Sequence, residues 1–189
     1  MSVESTLPKE LEPACRRLEI LPSYLIFAVN IAEQTVSVFE RSAAQSVSAD
    51  FPDYTLFKKF RCSTSRFGIG ETAGSNMTPR GLHRIAEKIG DGCPVGTVFK
   101  ERQIVGYTSQ GFPDSAITTR IMWLEGLEPG FNRGGNVDSH ERYIYIHGTG
   151  DESTIGRPAS HGCVHLAAED LIPLYDKLQS GTLVWISEH

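Results

Sequence analysis

Two residues that could carry nucleophilic chemistry lie near each other in this sequence. His147 ends a run in which Ile144 and Ile146 alternate with tyrosines, the pattern of a β-strand. Cys163 lies in a Ser-His-Gly-Cys segment, where glycine permits a tight turn. A cysteine nucleophile needs an imidazole to accept its proton and backbone N–H groups to hold the oxyanion that forms. The sequence therefore predicts a Cys163–His147 pair, with oxyanion donors at Gly162 and Cys163.

These segments resemble the signature of the L,D-transpeptidase (YkuD-type) catalytic domain. The resemblance rests on His147-Gly148 followed by Ser160-His161-Gly162-Cys163, and it extends over roughly Leu25 to Ile186. Two upstream segments support it, Ser63-Thr64-Ser65 and Thr78-Pro79-Arg80-Gly81. The resemblance implies a bacterial cysteine acyl-transferase that acts on the tetrapeptide stems of peptidoglycan. It further implies a thioester on Cys163, loss of the terminal D-alanine, and no cofactor or metal.

The resemblance also implies roles for neighbouring residues. The carbonyl of Gly148 would orient His147, and His161 would support the turn and the substrate. Substrate contacts are expected from four residues near the pair: Ser160, Thr149, Arg157 and Tyr145. The sequence departs from the family at His165, where an arginine or asparagine is common. We expect Arg157 to supply the positive charge toward a substrate carboxylate that a neutral His165 would lack.

The acceptor of the acyl group decides the reaction within this class. An amine from a second stem gives a cross-link, which makes the enzyme a transpeptidase. Water releases the shortened stem, which makes it an L,D-carboxypeptidase acting on recycled muropeptides. The acyl-enzyme is common to both reactions, so the motif does not separate them.

Two non-enzymatic interpretations compete for the same residues. One is a tetrahedral zinc site with three nitrogens and one sulfur, whose ligands would be His147, His161, Cys163 and His165. No ligand pair shows the usual finger spacing, which speaks against it. The other is a catalytically inactive module that binds muropeptides. The intact cysteine and histidine favour the enzyme over both.

Composition narrows the class of protein further. The chain has 189 residues, 40% of them hydrophobic and 22% charged, which suits one soluble globular domain. Its net charge of −5 provides no electrostatic basis for binding nucleic acid or an anionic membrane. No apolar run approaches the roughly 20 residues of a membrane span. The four cysteines are widely spaced and give no disulfide framework: Cys15, Cys62, Cys93 and Cys163.

The elements that must position this pair are mainly strands. The sequence predicts a mainly β, single-domain β-sandwich of the L,D-transpeptidase type with a few short helices, including one near 167–179. Residues 1–23 form a predicted helical extension and residues 24–189 the catalytic domain. Leucines at spacings of three and four indicate the helix in the extension, and Pro13 is expected to kink or divide it.

The N-terminal residues bear on the compartment. A secretory signal begins with basic residues followed by an apolar core, whereas residues 1–22 mix Glu, Lys and Arg with scattered leucines. We therefore expect a cytoplasmic protein, or a periplasmic or cell-envelope one if a leader precedes this sequence. The expected partners are peptidoglycan stems or soluble muropeptides.

Overall fold

A computed structural model describes residues 6–43, 51–111 and 117–189 of the chain, so residues 1–5 of the predicted extension lie outside it. Two α-helices are present, α1 (Leu11–Arg17) and α2 (Ala168–Lys177). The ten strands are β1 (Leu25–Asn30), β2 (Thr35–Arg41), β3 (Tyr54–Arg61), β4 (Gly81–Ile89), β5 (Thr97–Lys100), β6 (Gln103–Tyr107), β7 (Thr118–Gly126), β8 (Tyr145–Gly148), β9 (Val164–Leu166) and β10 (Leu183–Ser187). The predicted mainly β fold with few helices is confirmed.

All ten strands belong to one mixed sheet. Its main path runs β3-β2-β1-β10-β4-β7-β5-β6, and β8 leaves it by pairing with β7 and carrying β9 on its other side. The β1–β10 and β8–β9 pairs are parallel, and the other neighbours are antiparallel. The layers of the predicted sandwich are thus parts of one continuous hydrogen-bonded sheet.

The β3 end of the main path meets the β8–β9 branch at Ser63 and His165. Ser63 follows β3, and it forms an antiparallel bridge with His165 of β9. Both backbone hydrogen bonds of the bridge are short, 3.0 Å from Ser63 N to His165 O and 2.8 Å from His165 N to Ser63 O. The sheet therefore closes on itself next to the Ser-His-Gly-Cys segment.

Strands β1 and β10 are buried on both faces, which explains why their sequences are almost entirely apolar. In β1, Leu25, Phe27 and Val29 pack into one core with α2. Ile26 and Ala28 point the other way, into a second core that includes α1. Successive side chains of a strand alternate between faces, so a strand between two cores must be apolar at every position.

Helix α1 covers the outer face of the sheet. Leu11, Ala14 and Cys15 are its buried residues, and all three belong to the second core. The predicted kink at Pro13 is wrong. Pro13 lies in the first turn of this seven-residue helix, where a backbone N–H has no intrahelical acceptor and its loss is harmless. Within the described residues, none of the helices is long and apolar enough to cross a membrane.

Candidate active site

The segment that carries Cys163 is a tight turn leading into β9. Gly162 has φ of +123°, and a Cβ atom there would lie 3.2 Å from Met77 O and 3.3 Å from Ile144 Cδ1. Glycine is required by both the backbone conformation and the lack of space. The turn thereby fixes the direction in which Cys163 leaves the chain.

Ser160 holds this turn together from inside. Its side chain is buried, and its hydroxyl donates to Cys163 O at 2.6 Å while accepting from the Gly162 N–H at 3.2 Å. Both hydrogen bonds of the Ser160 hydroxyl are internal to the turn, and its predicted substrate contact stays a prediction. The Gly162 N–H, which was expected to be an oxyanion donor, is engaged with Ser160 Oγ. The Cys163 N–H has no acceptor among the described residues and remains available for that role.

The two upstream motifs buttress the turn. Thr64 O accepts hydrogen bonds from the N–H groups of Ala159 and Ser160, each at 2.9 Å. Thr78 Oγ1 donates to Gly162 O at 3.0 Å and accepts from Ser65 N at the same distance. Segments far apart in the sequence thus support the backbone on both sides of Gly162.

His147 lies at the end of β8 with its ring almost fully buried. Its Nδ1 atom is 2.7 Å from Gly148 O, which fixes the tautomer with hydrogen on Nδ1 and leaves Nε2 as the proton acceptor. Gly148 pairs with Thr118 of β7, and a Cβ atom on Gly148 would be only 2.9 Å from Thr118 O. The register between the strands shifts just past this pair, at Thr119, whose φ is +69°. Such bulges re-aim side chains next to active sites.

The thiol of Cys163 is hydrogen-bonded to backbone rather than to His147. Its Sγ atom donates to Tyr143 O and accepts from Tyr145 N, both at 3.4 Å. Burial raises the pKa of Cys163 to about 11, although the Tyr145 N–H and the nearby Arg142 charge act in the opposite direction. Burial also lowers the pKa of His147 to about 4. At neutral pH the pair is therefore a neutral thiol beside a neutral imidazole.

Both side chains line one open cavity of about 570 Å³. Six of the lining residues belong to the strand and turn that carry the pair: Tyr143, Tyr145, His147, His161, Cys163 and His165. Tyr145 and His161, which were predicted to contact or support the substrate, thus line the same cavity as Cys163. His161 also lines a neighbouring cavity of about 270 Å³ on its other side. His161 is thus shared by the two cavities, whereas Cys163 lines only the larger one.

Two of the predicted substrate contacts lie elsewhere. Neither Thr149 nor Arg157 is among the described residues that line the cavities containing His161. The hydroxyl of Thr149 accepts a hydrogen bond from Asp151 N at 3.2 Å. Arg157 is exposed, and its carbonyl accepts from Ser63 Oγ at 2.7 Å. The prediction that Arg157 supplies the positive charge of the site therefore has no cavity contact to support it.

Two other arginines lie at the site, and sequence reasoning missed both. Arg142 is half-buried, and it donates to Glu71 O and Met77 O at 2.7 Å each. These bonds hold the loop that contains Glu71 and Met77, and Arg142 also lines the smaller cavity. Arg102 lies on the turn between β5 and β6 and lines the larger cavity. No local motif identifies either one, because their positions depend on the packing of distant segments.

His165 packs directly against His147. Their ring centroids are 4.5 Å apart, and His165 is only 8% exposed. Its Nδ1 atom is buried without a hydrogen-bond partner among the described residues. Burial and the neighbouring His147 and His161 keep the pKa of His165 far below its usual value, so the ring is neutral.

The predicted zinc ligands do not form a metal site. Within the described part of the chain, no group of three or more histidine, cysteine or acidic side chains is arranged to hold a metal ion. The structure thus gives no support to the zinc interpretation.

Comparison with known proteins agrees with this architecture. The sequence profile of the YkuD L,D-transpeptidase catalytic domain matches residues 26–186. Among solved structures, Bd1075 of Bdellovibrio bacteriovorus aligns with a TM-score of 0.54 and 17% identity, over 88% of this chain and 49% of that one. The L,D-transpeptidase LdtMt1 in complex with imipenem aligns with a TM-score of 0.51 and 15% identity, over 87% of this chain and 59% of that one.

A cysteine-to-serine mutant of an Enterococcus faecium L,D-transpeptidase gives a TM-score of 0.51 and 11% identity, over 88% of this chain and 50% of that one. This chain thus spans about half to three fifths of the length of these three proteins. At such low identities the alignments establish the shared fold. No curated protein sequence matches the chain.

Proposed function

The chain belongs to the L,D-transpeptidase catalytic-domain family, and from this premise we propose that it is a cysteine acyl-transferase acting on peptidoglycan tetrapeptide stems. The observation that carries the proposal is the placement of Cys163 and His147 on the wall of one cavity, with His147 Nδ1 held by Gly148 O at 2.7 Å. This tautomer presents Nε2 as the base that a thiol nucleophile requires.

In the proposed first step, the stem enters the larger cavity and displaces the thiol from its hydrogen bond to Tyr143 O. His147 Nε2 takes the thiol proton as Sγ attacks the carbonyl carbon before the terminal D-alanine. The Cys163 N–H donates to the oxyanion of the tetrahedral intermediate. The C–N bond then breaks, His147 returns its proton to the departing D-alanine nitrogen, and a thioester on Cys163 remains.

In the second step, the acceptor attacks the thioester while His147 removes its proton, and the thiol of Cys163 is restored. An amine from a second stem or a D-amino acid gives transpeptidation, and the smaller cavity beyond His161 offers room for such an acceptor. Water gives hydrolysis and an L,D-carboxypeptidase. Transpeptidation is our main proposal, and hydrolysis of cytoplasmic muropeptides is the alternative.

The test is mass spectrometry of products from a soluble disaccharide-tetrapeptide, with and without an added D-amino acid. The matched control is Cys163→Ala, which removes Sγ and keeps the backbone of the turn. Dimers or D-amino-acid exchange that depend on Cys163 support transpeptidation, whereas tripeptide alone supports the carboxypeptidase. Equal turnover by the Cys163→Ala variant would overturn the nucleophile assignment, and no turnover by the unmodified protein would overturn the substrate class.

A further inference from the structure

The cavity around Cys163 has one arginine on its wall, Arg102, and its surroundings indicate what it binds. Arg102 lies in the two-residue turn of the β5–β6 hairpin, where Lys100 pairs with Gln103. Both turn residues have positive φ, +50° at Glu101 and +66° at Arg102. This is the backbone of a type I′ turn, which fits the twist of a hairpin closely. The turn fixes the Cα atom of Arg102 above the cavity.

Aromatic rings fix the guanidinium group of Arg102. Its Cζ atom is 4.7 Å from the ring centroid of Trp123 and 5.3 Å from that of Tyr143. Its Nη1 atom donates to the hydroxyl of Tyr145 at 3.3 Å. Arginine has five N–H donors, so most of them remain free for a ligand. The charge is thus held in place while most of its hydrogen-bonding capacity is unused.

Among the described carboxylates, Glu87 acts on Arg102 through its charge but does not form an ion pair with it. None of the ion pairs in the described part of the chain includes Arg102. Glu101 lines the same cavity and is exposed, but it forms no ion pair with its neighbour. An arginine with this geometry is suited to bidentate binding of a carboxylate.

Arg142, Arg157 and His165 are unsuited to this task, and Arg66 contacts His161 at 2.9 Å but does not line the larger cavity. Arg142 is engaged with Glu71 O and Met77 O, and it lines the smaller cavity. Arg157 lies outside the larger cavity. His165 occupies the position where the family commonly has arginine or asparagine, but it is nearly buried and packs against His147. Arg102 lines the same cavity and contacts Tyr145.

We infer that Arg102 binds a carboxylate of the substrate. This inference rests on the proposed function for the identity of the substrate. Two carboxylates of a stem could provide the ligand, the terminal carboxylate of D-alanine or a side-chain carboxylate on the third residue. Arg102 acts in binding and orientation, while Cys163 and His147 perform the chemistry.

A first experiment tests the charge without any peptidoglycan substrate. Iodoacetate and iodoacetamide both alkylate Sγ with loss of iodide, but only iodoacetate carries a carboxylate. We expect Arg102→Met to lower the ratio of the Cys163 alkylation rates, iodoacetate over iodoacetamide, by about tenfold, since a charge-assisted contact is lost. Arg102→Lys keeps the charge but loses the planar fork, so it should retain only part of the ratio, and the matched control Arg157→Met should leave it unchanged. An unchanged ratio in Arg102→Met, or an equal fall in Arg157→Met, would overturn the inference.

A second experiment identifies the carboxylate by comparing stems. KM is measured for the tetrapeptide, for its C-terminal amide, and for a stem with lysine as third residue. Arg102→Met should raise KM for the full substrate about tenfold and should have no added effect on the analogue that lacks the bound carboxylate, because coupled contacts are non-additive. An equal rise for all three substrates would overturn the inference. A protein that turns over none of them contradicts the proposed function, and the alkylation ratio still decides the role of Arg102.

Discussion

The thiol of Cys163 donates a hydrogen bond to the carbonyl oxygen of Tyr143, 3.4 Å away. The proton that His147 is proposed to remove is therefore engaged in a hydrogen bond to Tyr143 O. With pKa values of about 11 for Cys163 and about 4 for His147, neither group is ionised at neutral pH. The resting site is therefore unlike a thiolate–imidazolium pair, and substrate binding must precede proton transfer in the proposed mechanism.

The first prediction concerns the pH dependence of Cys163 alkylation in the free protein. The rate with iodoacetamide should rise about tenfold per pH unit from pH 6 to pH 9, because only the thiolate reacts and its fraction grows in that proportion below the pKa. Peptide mapping separates Cys163 from the half-buried Cys93. A plateau between pH 6 and pH 8 would show that the thiolate is already formed, contrary to this prediction.

The second prediction separates the two roles in which His147 could act. His147→Gln should lower kcat on a tetrapeptide stem by about 10²–10⁴-fold, the usual contribution of a general base. It should change the rate of Cys163 alkylation by less than about threefold, since the resting thiol is bonded to Tyr143 O. Quenched time courses followed by mass spectrometry give kcat and the alkylation rate on one protein preparation. A large fall in alkylation would mean that His147 activates the thiol before substrate arrives.

The third prediction concerns the glycine of the turn. Gly162→Ala combines a left-handed backbone with a Cβ atom 3.2 Å from Met77 O, so it should destabilise the fold by about 2–4 kcal/mol and lower turnover. Gly181→Ala is the matched control, because its φ is +89° and no atom lies within 4 Å of the added Cβ. It should cost about 1 kcal/mol and leave kcat unchanged. Urea unfolding and kcat together test this, and equal losses in both variants would contradict it.

The fourth prediction is that the free energy of unfolding falls at acid pH and that His83 contributes to this fall. His83 is fully buried between Gly81 O and Ser139 Oγ, and burial lowers its pKa to about 4. The unfolded chain, with a reference pKa of 6.5, binds more protons than the folded one between these values. His83 therefore contributes stability that is present above pH 6.5 and is lost as the pH falls toward 4.

Urea unfolding at several pH values measures this slope. His83→Gln should reduce the fall in unfolding free energy between pH 6.5 and pH 4 by about 1 kcal/mol per pH unit, whatever its effect on stability at pH 7. His189→Gln, on an exposed side chain, is the control and should preserve the slope. A parallel pH profile for His83→Gln would show that another group carries the effect.

The fifth prediction concerns the unpartnered nitrogen of His165. His165→Phe keeps a ring against His147 and removes the buried Nδ1 atom. The free energy of unfolding at pH 7 should therefore increase by about 1 kcal/mol, and the melting temperature should rise. Calorimetry measures the change. A lower melting temperature would mean that Nδ1 is satisfied in solution.

The proposed reacting pair could be identified from local motifs. The residues of the Ser160–Cys163 turn are consecutive, and His147 ends an alternating strand, so their chemistry is visible in the sequence. Arg102 and Arg142 were missed because each reaches the site through a different loop. Glu101 and Arg102 also form a tight turn without glycine or asparagine, the residues that usually mark one. The internal hydrogen bonds of Ser160 were not predicted, because the sequence does not show which way its hydroxyl points.

The strands were predictable where they are long and apolar, as in β1 and β7. The three-residue β9 was not predicted, because a segment so short has no periodicity and depends on pairing with β8. The closure of the sheet likewise follows from contacts between segments far apart in sequence.

The Ser63–His165 bridge makes the active site part of the global folding unit. Breaking its two hydrogen bonds would free the end of the sheet and release the turn that carries Cys163 at the same time. Amide hydrogens at Ser63 and His165 should therefore exchange with solvent only at the rate of sheet opening. We therefore expect the turn that carries Cys163 and the whole sheet to lose their structure in one cooperative event.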